Sequence, residues 1–157
     1  MITIPQELDN SVYSYMYWSS INIENSAQYK LKEMYEDYDG YGLADIKGRK
    51  VIACTNKFGA IGDEIEVTFK NNVDYWNKQS KTLFAVIGDF KNRSNSNCDE
   101  YGHLYTKKNG KYKQRNVIEF IVGSRFKGNI KDERNFPKLT NNPVIKIERT
   151  GVNFLYD

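Results

Sequence analysis

The sequence predicts a mainly β protein with one short helix and an extended N-terminal arm. Three observations carry that expectation. From Arg49 onward, apolar or alternating runs of strand length are separated by Gly-, Asn- and Lys-bearing connections. One stretch, Asn25 to Tyr38, has helical spacing and a candidate cap. Residues 1–24 have neither pattern, but place Tyr13, Tyr15 and Tyr17 at alternate positions, a period that suits a strand or an extended arm.

The elements follow in order. Asn25 is the predicted cap, with Gln28 three residues on, and Ala27, Leu31, Met34 and Tyr35 make one apolar stripe. Asp39-Gly40-Tyr41-Gly42 ends the helix in a turn. Arg49–Thr55 is a compact apolar strand, and Lys57–Asp63 is a glycine-bearing turn. Glu64–Lys70 alternates, with Ile65, Val67 and Phe69 on one face and Glu64, Glu66, Thr68 and Lys70 on the other. Asn71–Ser80 is a polar connection carrying Tyr75 and Trp76. Thr82–Gly88 is a buried-type strand that closes on Asp89. Residues 91–115 read as a long loop with a hairpin at Asn109-Gly110. Asn116–Gly123 is a further apolar strand, 124–141 is irregular, and Asn142–Gly151 is the last strand. No internal repeat or low-complexity linker interrupts this order. The chain therefore divides into an arm with a short helix, 1–41, and a β domain, 42–157.

At 157 residues the chain is long enough to bury a core without disulfides or metals. Its 23 basic and 20 acidic residues leave a net charge of +3, which argues against a DNA-wrapping protein. Mean hydropathy is −0.70 and no apolar run approaches ~18 residues, so no transmembrane helix is expected. Met1–Glu7 lacks a basic region and a long apolar region, so no Sec-type signal peptide is expected. The unusual feature is 12 Tyr and 17 Asn on a nearly neutral chain, a composition that suits contact with carbohydrate or with another chain.

Cys54, Cys98 and His103 are the only residues of their types. No CxxC or HxxxH pair is present, so neither zinc nor another metal or cofactor is expected. Cys54 lies in the run Val51-Ile52-Ala53-Cys54 and reads as a buried, inert thiol. A nucleophilic Cys98–His103 pair would lack a third, orienting group. From His103 to Arg115 the chain carries Lys107, Lys108, Lys111, Lys113 and Arg115 and no acid. Such a segment suits anionic wall polymer, membrane or nucleic acid, or simply a solvated hairpin. Acids spread through the rest of the domain, so nucleic acid is not an expected partner.

Two acids are out of place. Asp89 closes Leu83-Phe84-Ala85-Val86-Ile87-Gly88, and Glu119 interrupts Val117-Ile118-Glu119-Phe120-Ile121-Val122. A carboxylate among large apolar side chains loses hydration and holds its proton to higher pH. A carboxylic acid protonated near neutrality can donate that proton to a glycosidic oxygen. The alternatives are a turn-capping role for Asp89, and for Glu119 exposure on an edge strand or pairing with Lys or Arg.

The order of these segments resembles a known family. An apolar run (Val51–Thr55) precedes a glycine loop (Ala60-Ile61-Gly62-Asp63) and an alternating strand (Glu64–Phe69). A strand ending in an acid (Ala85–Asp89) and a strand with a central acid (Val117-Ile118-Glu119-Phe120) follow. This is similar to the double-psi β-barrel of lytic transglycosylases and related cell-wall proteins, and most of all to the 3D domain, named for three aspartates. The similarity spans roughly Gly42 to Val122. The second acid of that pattern matches Asp89, the third is replaced by Glu119, and the first falls on Thr55, a departure. Tyr13–Tyr17 with Gln28-Tyr29-Lys30-Leu31 also resembles uncharacterised proteins of Gram-positive bacteria and their phages.

The resemblance implies a six-stranded double-psi-like β-barrel. It implies Asp89 as general acid/base, with Glu119 raising its pKa or orienting substrate. The candidate substrate-binding residues are Tyr38, Tyr41, Thr55, Tyr101, His103 and Tyr105, the tyrosines stacking on sugar faces or, alternatively, serving as partly buried amphipathic rings. The expected function is a peptidoglycan-cleaving protein, a lytic transglycosylase or muramidase, on a phage or phage-like tail. It would be found on the virion tail, or at the bacterial surface after delivery. The expected partners are cell-wall glycan and, through residues 1–24, other tail proteins. The alternatives are a non-catalytic tail or baseplate component, favoured by Thr55, and a wall carbohydrate-binding module.

Overall fold

The computed structural model describes residues 1–7, 10–12, 15–73, 80–91, 98–108, 111–115, 117–126 and 142–156, with 104–108 and 111–115 as backbone only. The described residues form ten strands and one α-helix: β1 (Ile2–Thr3), β2 (Tyr15–Tyr17), α1 (Ala27–Tyr35), β3 (Asp45–Ile46), β4 (Arg49–Cys54), β5 (Asp63–Val73), β6 (Ser80–Phe90), β7 (Leu104–Lys108), β8 (Lys111–Arg115), β9 (Glu119–Val122) and β10 (Val144–Asn153). A 3-10 turn at Trp18–Ser20 follows β2.

The mainly β prediction holds. Eight strands form one mixed sheet in the order β1-β10-β5-β6-β4-β9-β2, with β3 added on β4, and β7 and β8 form a separate hairpin. The sheet is an open path among the described residues, and it holds eight strands where six were expected. Two pairs, β4 with β6 and β2 with β9, are parallel, and the rest are antiparallel. The β4–β6 pair lies mid-sheet. Val51, Ile52 and Cys54 of β4 and Ala85, Val86 and Ile87 of β6 are fully buried, as befits strands covered on both faces.

Local chemistry explains the strands at its sides. In β5, Ile65, Val67 and Phe69 are fully buried and Glu66, Thr68 and Lys70 face outward, the alternation read from the sequence. Glu64 is the exception. It is buried and bonded to Arg49 Nε at 2.6 Å. The last strand runs two residues past Gly151, which takes φ +95°. The segment with Tyr75 and Trp76 lies outside the described residues, as does the Asn109-Gly110 turn.

The helix is shorter than predicted, and its cap is displaced by one residue. Ser26 caps it, its Oγ accepting from the Tyr29 N–H at 3.1 Å. Asn25 instead takes the left-handed φ of 68°, a conformation Asn tolerates better than most residues. Leu31 is the helix residue that is fully buried, and Met34 of the expected stripe is exposed.

The first residues are built into the sheet. Ile2 and Thr3 pair with Ile147 and Lys146, and Tyr15–Tyr17 runs parallel to Phe120–Val122. The arm thus supplies both ends of the strand path. Ile4, Val12 and Trp18 join Leu31 and the strand residues in one core, so 1–41 and 42–157 share their hydrophobic interior. Tyr15 packs on Phe126 with centroids 4.7 Å apart, and Tyr13 lies outside the described residues. Gly42, at φ +91°, is required where it stands, because a Cβ there would lie 2.7 Å from the Phe126 backbone nitrogen. Among the described residues no helix is long and apolar enough to cross a membrane.

Candidate functional site

Strand register brings the two predicted acids together. Ala53 of β4 has Asp89 of β6 as its partner on one side and Glu119 of β9 on the other. Paired residues on neighbouring strands point to the same face, so Asp89, Ala53 and Glu119 form one row with a methyl group at its centre. Two strand spacings put the acid backbones about 9.6 Å apart.

A bulge makes this possible. Ile52 pairs with Ile87, but Ala53 pairs with Asp89, so Gly88 is the extra residue. Without the bulge, Ala53 would face Gly88 and Asp89 would point away from Glu119. Gly88 is buried against Val51 and Ile121, where a Cβ would collide with both side chains.

The charges around this row are unevenly compensated. Asp89 Oδ1 accepts from its neighbour's N–H, that of Phe90, at 2.8 Å, and from Gln28 Nε2 of α1 at 3.5 Å. Burial pushes the Asp89 carboxyl above its ordinary value. The bonds from Phe90 and Gln28 oppose the shift, and the nearby Glu119 adds to it. Glu119 pairs with Lys91, Oε1 to Nζ at 3.4 Å, as one reading of the sequence allowed. Lys91 is itself buried, and its Nζ also donates to the Gly102 carbonyl at 3.3 Å. Burial lowers the proton affinity of the Lys91 amine, and Glu119 works against that. An acid that holds its proton too well and an amine that holds it too poorly thus flank Glu119. Such opposed shifts suit proton transfer.

Three further predicted residues lie at the same end of β4, and the side-chain polar atoms of two of them, Thr55 and His103, bond within the protein. The Thr55 hydroxyl donates to the Glu100 carbonyl. Gly102 packs between Lys91, Thr55 and the Val117 carbonyl. His103 is fully buried, with Nδ1 at 2.8 Å from Asp99 Oδ2 and Nε2 against Asn10 Oδ1. Asn10 Nδ2 donates to the Pro5 carbonyl at 2.8 Å, which fixes the amide orientation. Thr55 and His103 therefore present no polar atom to a substrate; they tie the 99–103 turn and the arm to the sheet. Tyr101 is half-buried under Lys57, 5.2 Å from ring centroid to Nζ. Both nitrogens of His103 are engaged by Asp99 and Asn10, so His103 does not serve as a base for Cys98. Burial pushes the Cys54 thiol up to about 12.

Tyr38 and Tyr41 belong elsewhere. Tyr38 stacks edge-on against Trp18, its ring packs on Gly123, and burial, aided by Glu36, raises its hydroxyl to about 12. Tyr41 is half exposed and lines a cavity at the start of β4 and β6. The Tyr105 side chain lies outside the described residues.

Lys91 and Gln28 are the neighbours the sequence did not reveal. Lys91 stands two residues after Asp89, which in an extended strand is the same face. Its position at the head of a polar, basic stretch hid that signal. Gln28 reaches Asp89 across 61 residues of sequence. Among the described residues no group of three or more His, Cys, Asp and Glu side chains could hold a metal ion. No protein-family model, curated protein or solved structure matches the chain.

Proposed function

We propose that the protein cleaves the glycan strands of bacterial peptidoglycan, with Asp89 as its general acid/base. The observation that carries this reading is the row Asp89–Ala53–Glu119, in which burial raises the carboxyl that would give up the proton. In a transglycosylase step, Asp89 protonates the bridging oxygen as the glycosidic bond breaks. As a carboxylate it then accepts the proton of the sugar hydroxyl that closes on the anomeric carbon. No water is activated, so one acid suffices. Lys91 is a positioning residue that holds Glu119 beside Asp89. The same reading takes β4, β5, β6 and β9 as parts of a six-stranded double-psi-like barrel carried by a phage or phage-like tail.

Purified protein incubated with Gram-positive sacculi is expected to release soluble anhydromuropeptides. Asp89→Asn should reduce the release about a hundredfold or more, the usual contribution of a general acid. Equal and negligible release by wild type and variant would end the enzymatic reading.

One observation favours a non-catalytic tail component instead. Thr55, which stands at the first acid position of the resembling family, bonds to Glu100 and is buried. A structural subunit predicts no release from sacculi and self-assembly of the isolated chain on size exclusion.

A further inference from the structure

The start of the β4–β6 pair holds a different kind of site. A cavity of about 800 Å³ opens there, within the size range of small-molecule sites. Its charged side chains are matched in ion pairs except Lys47, whose Nζ lies over the Tyr35 ring, 5.8 Å from the centroid. Lys50 Nζ lies 2.8 Å from Asp39 Oδ2 and 3.1 Å from Asp45 Oδ2. Arg49 Nε lies 2.6 Å from Glu64 Oε2, and Arg49 Nη1 donates to the Lys47 carbonyl at 2.7 Å. An entering anion would meet Asp39 and Glu64, and an entering cation would meet Lys50 and Arg49. A neutral molecule meets neither penalty.

Two aromatic rings line the same cavity from distant parts of the chain. Tyr41 is 50% exposed and Phe84 is 46% exposed, although Phe84 lies in a central strand. On the same strand the Ser80 and Thr82 hydroxyls bond each other at 3.0 Å at the cavity wall. The wall therefore offers flat apolar faces beside donors and acceptors already held in place by ion pairs. A ligand matching both is neutral, rich in hydroxyl groups, and has an apolar face of C–H bonds.

From this geometry we infer that the cavity binds an uncharged saccharide, with Tyr41 and Phe84 as its stacking platforms and the Arg49–Glu64 pair as its polar wall. This goes beyond the Asp89 reading. Binding here neither requires nor implies cleavage at the other end of the strands.

A glycan array carrying neutral, sialylated and sulfated oligosaccharides tests it on the full chain. At least one neutral glycan should bind. Tyr41→Ala and Phe84→Ala should each weaken that binding about tenfold, while Phe84→Tyr and Asp89→Asn retain it. Circular dichroism melts of each variant separate lost binding from lost folding. Binding of acidic glycans alone, of none, or of neutral glycans undiminished in folded Tyr41→Ala and Phe84→Ala would overturn the proposal. Because Asp89→Asn is in the panel, failure here leaves the cleavage reading standing, and failure of cleavage leaves this one.

Discussion

Lys50 and Lys91 are buried almost equally, at 5% and 7% exposure, and sit at opposite ends of the β4–β6 pair. Their surroundings differ. Lys50 holds two carboxylates within 3.1 Å. Among the described residues Lys91 meets one carboxylate, Glu119 at 3.4 Å, and a backbone carbonyl at 3.3 Å. Burial lowers the proton affinity of Lys91 and raises that of Asp89 beside it. The contrast separates two uses of a buried charge. Doubly paired, it is a fixed wall around a cavity. Held by Glu119 near a buried acid, it loses proton affinity while the acid gains it.

The largest expected effect is at the paired end. Lys50→Met strands two carboxylates and should cost about 3–5 kcal/mol in urea denaturation. Gly88→Ala should cost about 2 kcal/mol, by crowding Val51 and Ile121. It should also disturb the bulge that aims Asp89, so release from sacculi should fall even at temperatures where the variant is folded. Lys91→Met should cost only about 1 kcal/mol, because removing a poorly solvated amine offsets the lost pairing with the part-exposed Glu119. A Lys91→Met loss equal to that of Lys50→Met would erase the contrast.

The smallest effect depends on pH. Burial raises the Asp89 carboxyl above 3.8, so folding takes up a proton between that value and the raised one. The stability Asp89 contributes is complete below 3.8 and is lost as pH rises through the raised value. Asp89→Asn removes that loss. The variant should match wild type near about pH 3 and become the more stable of the two toward neutrality, read from paired denaturation curves. A difference that does not change with pH would remove Asp89 from the proton-exchanging end.

Strands were legible where one face is buried or the whole run is apolar. Ile65, Val67 and Phe69 announced β5, and Val51–Cys54 announced β4. The two acids were legible because each breaks an apolar run. What brings them together was not. The bulge at Gly88 changes which face Asp89 takes, and simple alternation cannot register an extra residue. His103 looked available because a lone histidine in a polar segment reads as exposed. Its partners, Asp99 four residues away and Asn10 from the arm, close around it only in the fold. The cavity at the other end joins Tyr41 to Phe84 across 43 positions, a pairing no local pattern encodes.

The placement of the arm has a consequence for how the chain acquires its structure. Ile2 pairs with Ile147, and Tyr15 with Phe120. Among the described residues both end strands of the sheet come from residues 1–17, and each pairs with a strand more than a hundred positions away along the chain. Contacts so distant along the chain slow folding, and until they form β9 and β10 leave unpaired strand edges open to other chains. Pairing with the arm thus covers strand edges that would otherwise be open, and chains lacking residues 1–17 should aggregate during refolding, as seen by light scattering.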